Sequence, residues 1–357
     1  MSTVSLVDIR YCRRANSPTG LAGGSLIEDS SAWERVLAIT QPALLLASPD
    51  FLDEIAGRLR EAGIQDAVAR HDSAPIFDWV VGLLALQRIG DQAAFSFDAA
   101  NGGITFAEIA AALGRSPSCP RLQSYWSFSG CGYRKGTGLC AERRHRPRCP
   151  LPRHNLRKGG LNQASYSLFL FIRDVCGGDL VSWIDRRLEV TDPSLDHPSR
   201  AVQMREALLG PLVNIANSGL KLWSMILPEL LLVGDPDRER WVTTGASFVA
   251  VDSLVHNHLH RTGILRRLGA THPYGEACYR PGGCAEVIEK LARQVDAREF
   301  NPAFPANFPR FVQHAIWMFC AAGGRNICNG NRIDDGSGCA QQFCPTGPTC
   351  DRFSLHR

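Results

Sequence analysis

Residues 214–221 read Asn214-Ile215-Ala216-Asn217-Ser218-Gly219-Leu220-Lys221, between helical patterns at about 200–216 and 220–233. The octapeptide is therefore a tight turn joining two helices. Asn217 and Gly219 are its residues that tolerate a left-handed backbone. A helix that starts near Leu220 presents its free N–H groups at the turn, and such an end can hold a phosphate without reading base sequence. Taken alone, the segment could equally be an ordinary helix–helix connection. Thirty residues beyond Lys221 comes Val251-Asp252-Ser253-Leu254-Val255, followed by His256-Asn257-His258-Leu259-His260-Arg261.

Outward from this pair, helical periodicity dominates. Residues 50–69 place Leu52, Ile55, Leu59 and Ile64 roughly on one face, while 76–89 are apolar nearly all round, as a core helix is. Further helices are expected at 105–113, 164–176, 240–260, 285–297 and 309–322, the last after the Pro-punctuated linker 300–309. No strand pattern is sustained, so the class is all-α. From about 115 to 160 the chain is rich in Gly, Pro, Arg and Cys and too poor in apolar residues to pack itself.

With 357 residues, 45% of them hydrophobic, the chain can bury one large core or two packed lobes. The net charge of +4 permits an acidic partner without demanding one. Placement says more: Arg143, Arg144, Arg146, Arg148, Arg153, Arg157 and Lys158 crowd into sixteen residues, a patch that suits a phosphate backbone or a solvated loop. The N-terminal residues lack an apolar signal region, and no run of eighteen apolar residues predicts a membrane span. A cytoplasmic, nucleoid-associated monomer is expected. Thirteen cysteines in such a compartment suggest metal ligands more than disulfides.

Four segments together carry a resemblance. The hairpin Ile215-Ala216-Asn217-Ser218-Gly219-Leu220-Lys221, the motif Val251–Val255, the early stretch Leu83-Leu84-Ala85-Leu86-Gln87-Arg88-Ile89-Gly90-Asp91, and Trp317–Cys328 stand in the order found in helix-hairpin-helix DNA glycosylases similar to endonuclease III. The chain differs from that family in Ala216 for Pro, Asn217 for Gly and Leu254 for His. The resemblance spans about 76–91 and 205–350. It implies a two-lobed helix-hairpin-helix fold: an N-terminal helical segment (1–75) packed on the C-terminal lobe, a core (76–300) with the Cys/His-rich insert at 115–160, and a C-terminal helix and iron–sulfur loop (301–357).

The same resemblance implies roles. Asp252 matches the catalytic aspartate, and Lys221 the lysine of members that add an AP-lyase step. Gln87 matches the residue that enters the gap left by an extruded base. Asn217, Ser218, Gly219 and Arg261 fall among the contacts to double-stranded DNA. The expected activity is excision of a damaged or mismatched base. Cys328, Cys339, Cys344 and Cys350 lie within twenty-three residues, and the last gap matches the family's. Four thiolates can wrap a [4Fe–4S] cube; zinc or a pair of disulfides are the other readings.

The insert holds a second group. Cys131, Cys140 and Cys149, with His145 or His154, would make a closed tetrahedral zinc site, and Cys119 could replace the histidine. Free thiols with unrelated histidines are the plain alternative. His256 and His260, one turn apart, could share a zinc but are better read as polar-face residues or phosphate contacts. Cys278 and Cys284 carry no assigned role. The competing functions are a non-catalytic DNA-binding protein with two metal-stabilised modules, and a zinc hydrolase built on His256 and His260.

Overall fold

A computed structural model describes residues 26–85, 104–114, 119–151, 160–328, 339 and 341–354. Gln87 and His154 lie outside the described residues. Among those described, the chain forms α1 (Ser30–Leu45), α2 (Phe51–Glu61), α3 (Ile64–Ala69), α4 (Ser73–Ala85), α5 (Phe106–Gly114) and α6 (Tyr125–Phe128). A two-residue hairpin follows, β1 (Tyr133–Arg134) antiparallel to β2 (Leu139–Cys140), with Tyr133 opposite Cys140. Then come α7 (Gly160–Asp174), α8 (Leu180–Thr191), α9 (Arg200–Leu212), α10 (Leu220–Val233), α11 (Glu239–Ala246), α12 (Ser253–Arg261), α13 (Ile264–Arg267), α14 (Cys284–Ala292) and α15 (Pro309–Cys320). The molecule is mostly helical, as the periodicity implies.

Two of the expected helices are broken, each for a local reason. The 50–69 helix divides into α2 and α3 because Gly63 takes φ +70°, a left-handed step that stops one helix and opens the next. The 240–260 helix divides into α11 and α12 because residues 248–251 (Phe-Val-Ala-Val) bury as a non-helical run, and Asp252 then restarts the helix with extended backbone. Helix α8, which the periodicity did not single out, is capped by Asp179, whose carboxylate accepts the Ser182 N–H at 2.9 Å.

Helix α15 organises the region that matters below: α1, α11, α12 and α14 all pack against it. Its buried face, with Phe311, Val312, Ala315 and Ile316, joins the main core. A smaller apolar floor of Ala43, Leu254, Phe319, Cys320 and Ala321 lies under Ile327, Cys328 and Cys344. Elsewhere a buried ion pair ties helices together: Arg200 meets Asp192 at 2.6 Å and Glu239 at 2.6 Å. No described helix is long and apolar enough to cross a membrane.

Candidate metal and carboxylate site

The turn between α9 and α10 is as tight as its residues predict. Asn217 adopts φ +55°, a left-handed conformation that Asn accepts more readily than most residues. Its amide donates to Gln163 Oε1 on α7 at 2.7 Å. The Ser218 hydroxyl donates to the Ile215 carbonyl at 2.7 Å and accepts the Trp223 indole N–H at 3.0 Å. Both side chains therefore brace the turn from inside, leaving the backbone as what it can offer a phosphate. Gly219 starts α10 with extended backbone, and a Cβ there would meet no atom within 4 Å, so this side of the turn is open.

Lys221, in the first turn of α10, is half-buried, and its ammonium donates to the Tyr274 hydroxyl at 3.4 Å. Asp252 caps α12: its Oδ1 accepts the Val255 N–H at 2.9 Å, which fixes the carboxylate and leaves Oδ2 for other work. The preceding Val251 N–H donates to the Tyr279 hydroxyl at 2.9 Å. Burial raises the Tyr279 hydroxyl, and the Tyr274 and Asp252 charges push it further. Asp252, Tyr279 and Tyr274 are thus electrostatic neighbours, and the Tyr274 hydroxyl accepts from the Lys221 ammonium.

Behind the carboxylate, α12 turns two histidines to different neighbours. His258 and His256 are two residues apart, which on a helix places them on roughly opposite faces. Among the described residues, two groups of His and Cys ligand atoms converge, each within 4.8 Å of one another, and either could hold a metal ion. One joins His256, His272, Cys278 and Cys284. His256 Nδ1 lies 3.3 Å from Cys284 Sγ and 3.5 Å from Cys278 Sγ; His272 Nε2 lies 3.3 Å from Cys284 Sγ. Hydrogen bonds from the Cys284 thiol and then from the two imidazoles hold the Cys278 thiol far below its ordinary range, whereas burial raises that of Cys284.

The other group joins His258, Cys320 and Cys328. The Cys320 thiol, His258 and the Arg261 guanidinium all lower the Cys328 thiol. The remaining tail thiols, Cys339, Cys344 and Cys350, are half-buried and close enough to act on one another: burial raises Cys344 and Cys350, and neighbouring thiols, Cys328 and Cys339 among them, raise both further. After the cysteines the chain returns to α12. Cys350 Sγ donates to the Arg261 carbonyl at 3.8 Å, and the Asp351 and Phe353 N–H groups donate to the Thr262 and Arg261 carbonyls. Asp351 also forms an ion pair with Arg267.

Arg261 corrects the sequence reading. It is 1% exposed, with its charge acting on Cys328. A buried guanidinium facing thiols does not meet a phosphate at the surface. In the insert, burial raises the Cys131 and Cys149 thiols, and the thiols of Cys140 and Cys119 raise both further. His145 is turned elsewhere, with Nε2 3.1 Å from the Glu142 carboxylate. The insert thiols belong to neither of the close ligand groups.

The four-residue group around His256 was not read from the sequence, where His256 was paired with His260. The two rings stack with centroids 6.3 Å apart, but Nδ1 of His256 points to the cysteines. One signal was present: His272, Cys278 and Cys284 are separated by five residues each time. Comparison with protein-family models, with curated proteins and with solved structures returned no match.

Proposed function

We propose that this chain is a DNA N-glycosylase of the helix-hairpin-helix type, acting on duplex DNA. The observation that carries the reading is the Asp252 carboxylate. It is held by one oxygen at the start of α12, beside the buried Tyr279 whose hydroxyl its charge raises, while the lysine that follows the α9–α10 turn donates to Tyr274. A base inside a duplex must be extruded before chemistry on its glycosidic bond. The open backbone at Gly219 would grip the strand. Breaking the C1′–N bond places positive charge on the sugar. A preorganised carboxylate beneath it stabilises that charge, or takes the proton from the attacking nucleophile. After the base has left, Lys221, with its amine neutral, can add to the C1′ aldehyde of the abasic sugar and lose water to form a Schiff base, from which the 3′-phosphate is eliminated to cut the strand.

The tail thiols suit a [4Fe–4S] cluster held by Cys328, Cys339, Cys344 and Cys350: four soft donors, electrostatically in touch, on a segment with little core of its own. Such a cluster would order the tail against α12 and supply no redox step. The close approach of His258 and Cys320 to Cys328 favours a second reading for the tail, a single zinc ion. Iron and zinc analysis of anaerobically purified protein separates the two.

The test of function is a screen of lesion-bearing duplexes for abasic-site formation, with and without alkali. Base release on at least one lesion, lost in Asp252→Asn, is the expected result. Tight duplex binding with no release across the panel, in protein with full metal content, would leave a DNA-binding protein.

A further inference from the structure

The group of His256, His272, Cys278 and Cys284 is a site of its own, separate from the tail. We propose that it binds one structural Zn2+ ion, and that this ion pins the 269–283 loop to helices α12 and α14. The inference is independent of the glycosylase reading.

The donor set fits in kind and in spacing. A tetrahedral zinc with Zn–S of about 2.3 Å and Zn–N of about 2.0–2.1 Å sets its ligand atoms about 3.3–3.8 Å apart. The three spacings between nitrogen and sulfur are 3.3, 3.5 and 3.3 Å, and all four atoms fall within 4.8 Å of one another. Two thiolates balance a divalent cation, and two imidazoles add no charge, so the loaded assembly is neutral. That matters because Cys278 and Cys284 are 0% exposed and His256 is 6% exposed. Without a cation, a charge among these groups would be buried unbalanced by a metal. Soft sulfur with imidazole in a tetrahedral set selects zinc over hard cations.

The surroundings are shaped for it. His272 donates through Nδ1 to the Ala270 carbonyl at 2.5 Å, which leaves the lone pair of Nε2 facing Cys284. A hydrogen bond of this kind, from the ring nitrogen away from the metal, fixes the ligating tautomer of a metal-bound histidine. Gly283 lets the loop fold back: a Cβ there would lie 2.4 Å from the Ala277 carbonyl oxygen and 2.7 Å from the backbone of Cys278. Glycine is required for Cys278 to reach Cys284. Gly275 and Gly282, at φ +134° and +78°, make the turns on either side. The four protein donors close the coordination sphere, so the ion has no open position for water and is not hydrolytic. What it holds in place is the loop bearing Tyr274 and Tyr279, which touch Lys221 and Val251.

The experiment is metal analysis of the full chain purified without chelator, repeated on variants. The wild type should carry one zinc at this site in addition to whatever the tail holds. Cys284→Ala and His272→Ala should each lose one equivalent of zinc and keep the tail metal; Cys328→Ser should lose the tail metal and keep this zinc. Cobalt exchanged into the intact wild type should show the visible bands and thiolate charge transfer of a tetrahedral two-sulfur site, which answers the question even if the variants do not fold. Zinc content unchanged in both Cys284→Ala and His272→Ala, iron in place of zinc, or a Cys278–Cys284 disulfide in freshly reduced protein would each overturn the proposal.

Discussion

The two Cys/His groups that meet on α12 are assembled from different materials. In the pocket of His256, His272, Cys278 and Cys284, three of the donors are buried, and the helices that bring them, α12 and α14, pack on α15 and the main core. In the tail, Cys328, Cys339, Cys344 and Cys350 are half-buried and sit on a short stretch over a small apolar floor. Core packing can preorganise the first group before any ion binds. The second group would need an ion to organise it, because half-buried thiols on a core-poor segment have little else to hold them.

Four outcomes break or sharpen this contrast. The largest concerns the chemistry between the two groups: Asp252→Asn should lower single-turnover base release by about 10²–10⁴-fold, with both metals retained on elemental analysis. If either metal falls with the activity, the carboxylate and the ligands are not separable functions of α12. Next, Cys328→Ser should empty the tail of metal and reduce soluble yield, while zinc in the pocket stays at wild-type level. An equal loss from both sites would erase the distinction.

A smaller effect is expected at Gly263. This residue takes φ +85°, and a Cβ would fall 1.9 Å from the Asp351 carboxylate where the tail returns. Gly263→Ala should cost about 1–3 kcal/mol of stability by urea unfolding and speed chelator removal of the tail metal, leaving the pocket metal slow to leave. The smallest effect on base release belongs to Lys221→Ala. It should abolish borohydride trapping on an abasic-site duplex while leaving Asp252-dependent release unchanged. Trapping that survives the substitution would assign the lyase step to another amine.

What could be read in advance follows the same division. The α9–α10 turn was legible because Asn217 and Gly219 carry their backbone preference with them. The tail cysteines stand out because four of them fall within twenty-three residues. The pocket was not legible: its donors come from α12, a loop, a short 3-10 turn and the first residue of α14, and a helical reading of His256 looks one turn ahead to His260 rather than sixteen residues on to His272. The resemblance puts Arg261 among the DNA contacts, whereas the structure buries it. Only the return of residues 350–353 over its carbonyl shows that it lies beneath the tail.

Helix α12 is nine residues long and begins at the Asp252 cap. His256, His258 and the Arg261 carbonyl stand on it at successive heights. An ion captured on one side restricts the tilt and rotation of the same short rod that the other side must grip. An ion in the pocket would therefore lower the conformational entropy left to lose if the tail bound one, and the reverse would hold with equal magnitude. Two sites with no ligand in common would in this way favour each other's loading without either needing the other to be filled.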